Sequence, residues 1–446
     1  MHRIFNHILF ITALTLIGLT QGLSQESMTL PKAISIALEN NLNIKIAEKN
    51  ILIAEKNNTW AQAGKTPTVS LNGYFNNAVV NNNNPASFLQ GVYYSGTLGG
   101  SVEGNWVVYA GGRFEVAKDQ FELLVRQEEL NKDVDTHELL RNVYQQYYNV
   151  LFQKERLEVL RESYTLSESK LAFEKVKKEY GTSNGLNILQ FENALATDSI
   201  NIVSQILQVN TAKSTLYNSL QIPLSSDYIF EEELNVSDEA INAEKLQNAL
   251  SEENYTLKSL YILSDLNGLN TRLAQAQRKP FVNLNGSLGI AESGFKIFDD
   301  NPMTGDPFEM LFGNQITGGI NASVTWDLYD GGVRKTAIET AKLEEEITKL
   351  SVEQVVANLS NQLDILIENY ESQRQLLRLV DDQIRLADEN LKMLDERFKG
   401  GLVTSLDYRT VQLQYLNAAF AKVNAIYNLI LTKSEIDYLV GKFEED

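Results

Sequence analysis

The sequence predicts an α+β membrane protein built from two internal structural repeats, each joining a β-hairpin of membrane-spanning length to a long coiled-coil helix. Three observations predict it. Asn105-Trp106-Val107-Val108-Tyr109-Ala110-Gly111-Gly112 returns as Thr325-Trp326-Asp327-Leu328-Tyr329-Asp330-Gly331-Gly332, an offset of 220 residues. Apolar residues recur every 3.5 positions over long stretches, and shorter runs alternate apolar with polar. Beyond the N-terminus no stretch reaches roughly 18 consecutive apolar residues, so this chain can meet a membrane only with strands.

Composition narrows the functions open to such a chain. Its 446 residues have room for about three ordinary domains, yet with 7 prolines and no long Pro/Gly/Ser linker it reads as one repetitive architecture. There is no Cys, and two of the 3 histidines, His2 and His7, lie at the very start, which leaves His137 alone in the body. Thiol catalysis, disulfide scaffolds and Cys/His metal centres are excluded. A formal charge of −19 argues against nucleic acid, whose phosphates demand Lys and Arg.

Met1-His2-Arg3, the apolar run from Ile8 to Leu19 and Gly22-Leu23-Ser24 form a secretory signal peptide over 1–24. The apolar run is too short for a ~30 Å hydrocarbon layer. Cleavage after Ser24 removes Arg3 and no acid, taking the charge from −19 to −20.

Repeat 1 then occupies 25–240 and repeat 2 occupies 241–446. Each opens with a helix, from about Leu30 to Ala63 after Thr29 as cap and from about Lys245 to Gln277, and each meets a proline, Pro67 or Pro280. Period-2 hairpins follow at about 68–109 and 281–329. Val69, Leu71 and Phe75 oppose Ser70, Asn72 and Tyr74, while Ile320, Val324, Trp326 and Leu328 oppose Asn321, Ser323 and Thr325. Long helices are expected over about 113–179 and 333–399. In the second, Leu359, Leu363, Leu366, Tyr370, Gln373, Leu377, Val380, Ile384, Ala387, Leu391, Leu394 and Phe398 keep a 3.5-residue spacing, the mark of coiled-coil packing. Subtracting 220 gives a stripe from Leu139 to Lys178 in which seven of twelve residues are still apolar or aromatic. A glycine turn and a shorter helix, about 184–220 and 405–440, close each repeat. Gly181 falls on Gly401 and Asn187 on Asp407.

Strands of about ten residues suit an outer-membrane barrel, with Trp106, Tyr109, Trp326 and Tyr329 as membrane-interface aromatics at their ends. Four strands cannot close, and an open sheet edge cannot stand in lipid. Several chains must therefore share one barrel, eight strands for two chains or twelve for three. The loop from Asp299 to Glu309 lacks the regular alternation of a calcium loop and reads as a solvated surface loop. Tyr144, Tyr147 and Tyr148 read as interhelical packing.

The order of signal peptide, helix, hairpin, Gly-Gly, rod, Gly turn and helix, given twice, resembles the TolC-like outer membrane efflux proteins, the outer membrane factors of tripartite efflux and type I secretion systems. Leu30-Pro31-Lys32-Ala33 with Ala37-Leu38-Glu39-Asn40-Asn41 is similar to the family's opening motif, and Phe398-Lys399-Gly400-Gly401-Leu402-Val403-Thr404-Ser405-Leu406-Asp407 to its periplasmic turn. The resemblance implies a homotrimer whose twelve strands form one β-barrel in outer membrane lipid, continued by a periplasmic α-helical coiled-coil barrel. It implies a passive conduit, without enzymatic step, cofactor or metal. Its partners would be a periplasmic adaptor (membrane fusion) protein and an inner-membrane pump of the RND, ABC or MFS class.

The resemblance also assigns residues. Asp407 falls on the acid that rings the pore entrance; the family's second acid is Thr410 here, and the matching position in repeat 1 is Asn187. Phe398 and Val403 replace the Tyr and Arg of a closing lock. Tyr180-Gly181-Thr182 and Gly400-Gly401-Leu402 occupy the adaptor-docking turns. From the residues alone, Asp407 also suits a helix N-terminus, Gly181 and Gly401 suit helix C-caps, and Gly111, Gly112, Gly331 and Gly332 read as strand-to-helix joints. An extracellular filament would also be acidic, Cys-free and helical, but leaves the paired Trp-ended hairpins unexplained. No nucleophile elbow, phosphate loop or His dyad suggests an enzyme.

Overall fold

A computed structural model describes residues 26–87, 90–226, 228–236, 240–300 and 305–442; the expected signal peptide lies outside them. The chain forms two compact units, one from residues up to 46 with 132–257 and 355 onward, the other from 47–131 and 258–354. In chain order the elements are β1 (Glu26–Ser27), α1 (Leu30–Asn40), α2 (Leu42–Asn57), β2 (Thr68–Asn82), β3 (Gly91–Tyr109), α3 (Arg113–Glu179), α4 (Gly185–Ser219), β4 (Tyr228–Ile229), α5 (Ala243–Glu253), α6 (Tyr255–Ala276), β5 (Phe281–Ile297), β6 (Leu311–Thr325), α7 (Val333–Lys399) and α8 (Ser405–Leu439).

Where a single opening helix was expected in each repeat, there are two. Asn41 and Asn254 break it with nearly the same backbone, φ −59°, ψ 121° and φ −60°, ψ 122°. Each asparagine ends one helix and caps the next: Asn41 Oδ1 accepts from the N–H of Asn43 and Ile44, and Asn254 Oδ1 accepts from Leu257 N–H. An Asx side chain competes with the helical ladder in this way. The last helical turns also finish earlier than the prolines, at Asn57 and Ala276.

In the first unit, α3 and α7 bury the stripes that the 3.5-residue period picks out. All twelve α7 positions from Leu359 to Phe398 are buried or half-buried, and of the twelve in α3 only Lys178 is exposed. The largest core cluster gathers Val143, Tyr147, Val150 and Leu151 of α3 with Ala33 and Ala37 of α1 and Leu216 of α4. Tyr147 is fully buried, packs against Tyr148 and Phe230, and donates its hydroxyl to the Met28 carbonyl at 3.1 Å. The tyrosine group thus serves packing.

In the second unit the four long strands form one antiparallel sheet of order β2-β3-β5-β6. The two hairpins join through β3 and β5, with Val102 opposite Leu288 and Trp106 opposite Leu284. Strand alternation sends Val69, Leu71 and Phe75 of β2 to the same face as Leu98 and Val102 of β3, Leu288 and Ile290 of β5, and Ile316 and Ile320 of β6, and all of these are exposed. From Leu98 to Val108, ten steps of ~3.4 Å inclined at about 40° rise about 26 Å, the height of an outer-membrane apolar band. The opposite face carries Asn72, Asn76, Ser101, Asn105, Asn285 and Asn321. The second hairpin is shorter than expected: β6 stops at Thr325, so Trp326 and Tyr329 lie just past its end. No helix among the described residues is long and apolar enough to cross a membrane.

Candidate functional site

Two places in the fold hold the candidate residues: the helical turns at the far ends of α3 and α7, and the base of the sheet. Both turns are built alike. Gly181 and Gly401 each have φ +72°, a left-handed conformation that only glycine adopts freely. Gly181 N–H bonds the Lys178 carbonyl and Thr182 N–H that of Lys177; Gly401 N–H bonds Phe398 and Leu402 N–H bonds Arg397. This 5→2 and 6→1 pair is the Schellman cap, which satisfies the orphaned carbonyls of a helix end. Tyr180 and Leu402 project into solvent, each 79% exposed. A side chain added at Gly181 or Gly401 would meet nothing within 4 Å, so both turns present bare backbone.

The returning helices are capped at once. Asn184 accepts from Asn187 N–H, and Thr404 accepts from Asp407 N–H at 3.2 Å. Asp407 answers by accepting from Thr404 N–H at 2.9 Å and from its hydroxyl at 2.7 Å, which completes a capping box. These bonds hold the Asp407 carboxyl below the usual range, so it is an exposed carboxylate. Thr410 is exposed on the same side of α8, one turn on, with its hydroxyl returned to the Leu406 carbonyl. Asn187 is less exposed. It is half-buried between the turns, accepting from Ser405 Oγ at 3.0 Å and donating to Glu174 at 3.4 Å. Of the three residues expected at the pore entrance, Asp407 and Thr410 are thus exposed, and Asn187 is half-buried and bonded to Ser405 and Glu174.

Beneath the turns lie an apolar cluster around Phe398, which the sequence places at the end of the α7 stripe, and a set of polar groups that went unread in the sequence. Phe398, 2% exposed, packs against Phe173, Phe191 and Tyr408, with ring centroids 5.2 to 5.9 Å away. Around this apolar plug runs a polar layer. Arg409 grips Asp198 with two bonds of 2.7 and 3.0 Å, Ser167 Oγ donates to the same carboxylate at 2.6 Å, and Gln412 donates to Ser167 at 2.9 Å. Asp198 is 1% exposed, so this is a buried ion pair linking α4, α8 and α3. Lys170 and Lys399 both pair with Asp395. Burial pushes the Asp395 carboxyl up, but the bonds from both lysines outweigh it and leave it lowered. Burial, with Asp395 alongside, drives the Tyr408 phenol well above its ordinary value. One signal was available: the α3 stripe turns polar at Ser167 and Glu174, where α7 has Ala387 and Leu394.

At the base of the sheet the indoles are fixed symmetrically. Trp106 Nε1 donates to the Lys65 carbonyl at 3.0 Å and Trp326 Nε1 to the Arg278 carbonyl at 3.1 Å, in each case two residues before the proline. Tyr109 and Tyr329 are exposed beside them, 43% and 87%. The glycine joints have φ from +68° to +94°. A Cβ on Gly111 would stand 2.6 Å from the Ala276 carbonyl oxygen, so close packing as well as backbone conformation requires glycine there. In the second joint Asp330 accepts from Gly332 N–H and from Arg334 through its backbone and side chain, bonds that lower its pKa to about 2. Among the described residues no group of three or more His, Asp or Glu side chains is placed to hold a metal ion.

A family model described as outer membrane efflux protein matches residues 33–220 and 247–442. Solved structures share the fold at low identity. The CmeC outer membrane channel of Campylobacter jejuni aligns with TM-score 0.75 and 15% identity over 94% of this chain and 86% of its own. The outer membrane protein VceC of Vibrio cholerae aligns with TM-score 0.72 and 14% identity over 92% and 96%. The MtrE outer membrane channel of Neisseria gonorrhoeae, in its open state, aligns with TM-score 0.71 and 17% identity over 94% and 90%. No curated protein sequence matches. Nothing in these likenesses supports a filament. With both halves of the chain matched, the protein belongs to the outer membrane efflux protein family and is an efflux channel-tunnel of the bacterial outer membrane that extends into the periplasm.

Proposed function

We propose that three copies of this chain share one twelve-stranded barrel and one helical tunnel, which receives its cargo from a periplasmic adaptor and an inner-membrane pump and passes it outward with no chemical step of its own. The observation that carries this reading is the open sheet. β2 and β6 are free edges, and β2 runs antiparallel to β6, so β6 of one copy can pair with β2 of the next and continue the antiparallel order around a ring. Closure satisfies every strand N–H and C=O in lipid, which one chain cannot do alone.

The helices support the same reading. α4 exposes Leu186, Leu189, Ile200, Val203 and Leu207, and α7 exposes Ile365, Leu379, Leu386 and Met393 at seven-residue intervals or multiples of them. These second stripes lie away from the buried seams and await helices of neighbouring copies. At the turns, exposed Asp407 would place three carboxylates at the tunnel mouth and favour cations. Tyr180-Gly181-Thr182 and Gly400-Gly401-Leu402 would offer bare backbone and two exposed side chains to the adaptor. Mass measurement in mild detergent with planar-bilayer recording tests the assembly: a conducting trimer is expected, and a non-conducting monomer or fibre refutes it.

A further inference from the structure

We propose that Glu103, inside the barrel wall, is a second determinant of ion preference in the conduit, distinct from its mouth. The four strands contain three charged residues, Glu103, Glu292 and Lys296. Register separates them. Glu292 pairs with Leu98 and Lys296 with Tyr94, which puts both on the apolar outward face at the rim of the lipid band. Glu103 pairs with Ser70 on one side and Ser287 on the other, on the polar face. It is therefore the only charge that the strands aim into the lumen.

Its surroundings leave that charge uncompensated. Around it the lumen face carries Asn72, Ser101, Asn105, Asn285 and Asn321, which are polar and neutral. Ser101 Oγ donates to Glu103 at 3.0 Å, and no Lys or Arg pairs with it among the described residues. Val102 and Leu288, one step away on the other face, stand in the lipid band. A carboxylate in a water-filled passage with low-dielectric walls acts on passing ions with a focused, weakly screened field. This inference rests on the shared barrel proposed above: a threefold axis turns one Glu103 into three carboxylates at a single height. Small cations and cationic solutes then cross that height more easily than anions.

The chain has no Cys, so both charge and access can be probed at this one position. Full-length protein is reconstituted in planar bilayers under a potassium chloride gradient. Glu103→Gln is expected to move the reversal potential toward zero, and Glu103→Asp is expected to keep it near the wild-type value. An unchanged reversal potential in Glu103→Gln overturns the proposal. Glu103→Cys pores are expected to lose conductance when a trimethylammonium thiosulfonate reagent is added from the extracellular side; conducting pores that resist modification overturn the lumen placement. Wild-type protein that forms no conducting trimer overturns the shared-barrel reading instead, so the two failures are told apart.

Discussion

Replacing Asp198 by Ala removes the acceptor for two Arg409 bonds and one Ser167 bond at a site that is 1% exposed. Arg409 itself is only 17% exposed, so its guanidinium stays partly buried with no counter-charge. Breaking one partner of such a pair costs about 3–5 kcal/mol. If α4 and α8 open locally near the turns, that cost raises the opening equilibrium by roughly two to three and a half orders of magnitude, up to the limit set by the wild-type opening free energy. Hydrogen exchange of amides in 185–200 and 405–415 reads this directly, while exchange in β2 to β6 serves as internal control. Replacing both residues with apolar ones of similar size, Asp198→Leu with Arg409→Met, should recover much of the loss, because a well-packed apolar pair often matches a buried ion pair. Exchange near the turns that is unchanged in Asp198→Ala would refute the assignment of this pair as the clamp. So would strict additivity of the single substitutions in a double-mutant cycle.

Three further outcomes are expected. Gly401→Glu should abolish efflux of a fluorescent substrate in cells while leaving the trimer intact, since φ +72° disfavours any side chain there and the bare turn faces solvent; normal efflux shows that the turn neither docks nor gates. Asp407→Asn keeps an acceptor for Thr404 but removes the charge, so it should weaken cation preference without loosening α8, and an unchanged reversal potential removes the carboxylate from the mouth. Asp395 has a folded-state pKa below its unfolded value of about 3.9, so its contribution is complete above that value and is lost as pH falls through the lower, folded one. The thermal midpoint of the trimer should therefore fall more steeply in wild type than in Asp395→Asn as the pH drops below the ordinary carboxylate range, and parallel curves refute the link.

Much of the fold was legible because its signals are periodic and repeated. The offset of 220 that carries Trp106 onto Trp326 and Gly181 onto Gly401 identified both hairpins and both turns, and the 3.5-residue stripe of α7 contains no exposed member. The misses were local. Asn41 and Asn254 looked like ordinary helical residues, since whether an Asx side chain caps depends on a backbone break that composition does not encode. Trp326 seemed to continue the alternation of β6, but the strand ends one residue before it, although its indole N–H donates to the Arg278 carbonyl just as Trp106, inside β3, donates to that of Lys65.

The candidate site divides the same way. Asp407 and the two glycines could be read from the chain because a capping box and a Schellman turn are made by residues within a few positions of one another. The bonds of Asn187 could not: its partners Ser405 and Glu174 come from other segments, and only the tertiary fold brings them within reach. Arg409 and Asp198, 211 residues apart, are in the same position. Sequence by itself determined the repeats, the helical and strand periods, and hence which residues share the apolar face of the sheet and which line each helix seam, because those follow from short-range backbone geometry. Tertiary structure alone decided which charges are paired and which stand free, because neutralising a charge depends on what long-range packing brings within about 4 Å of it.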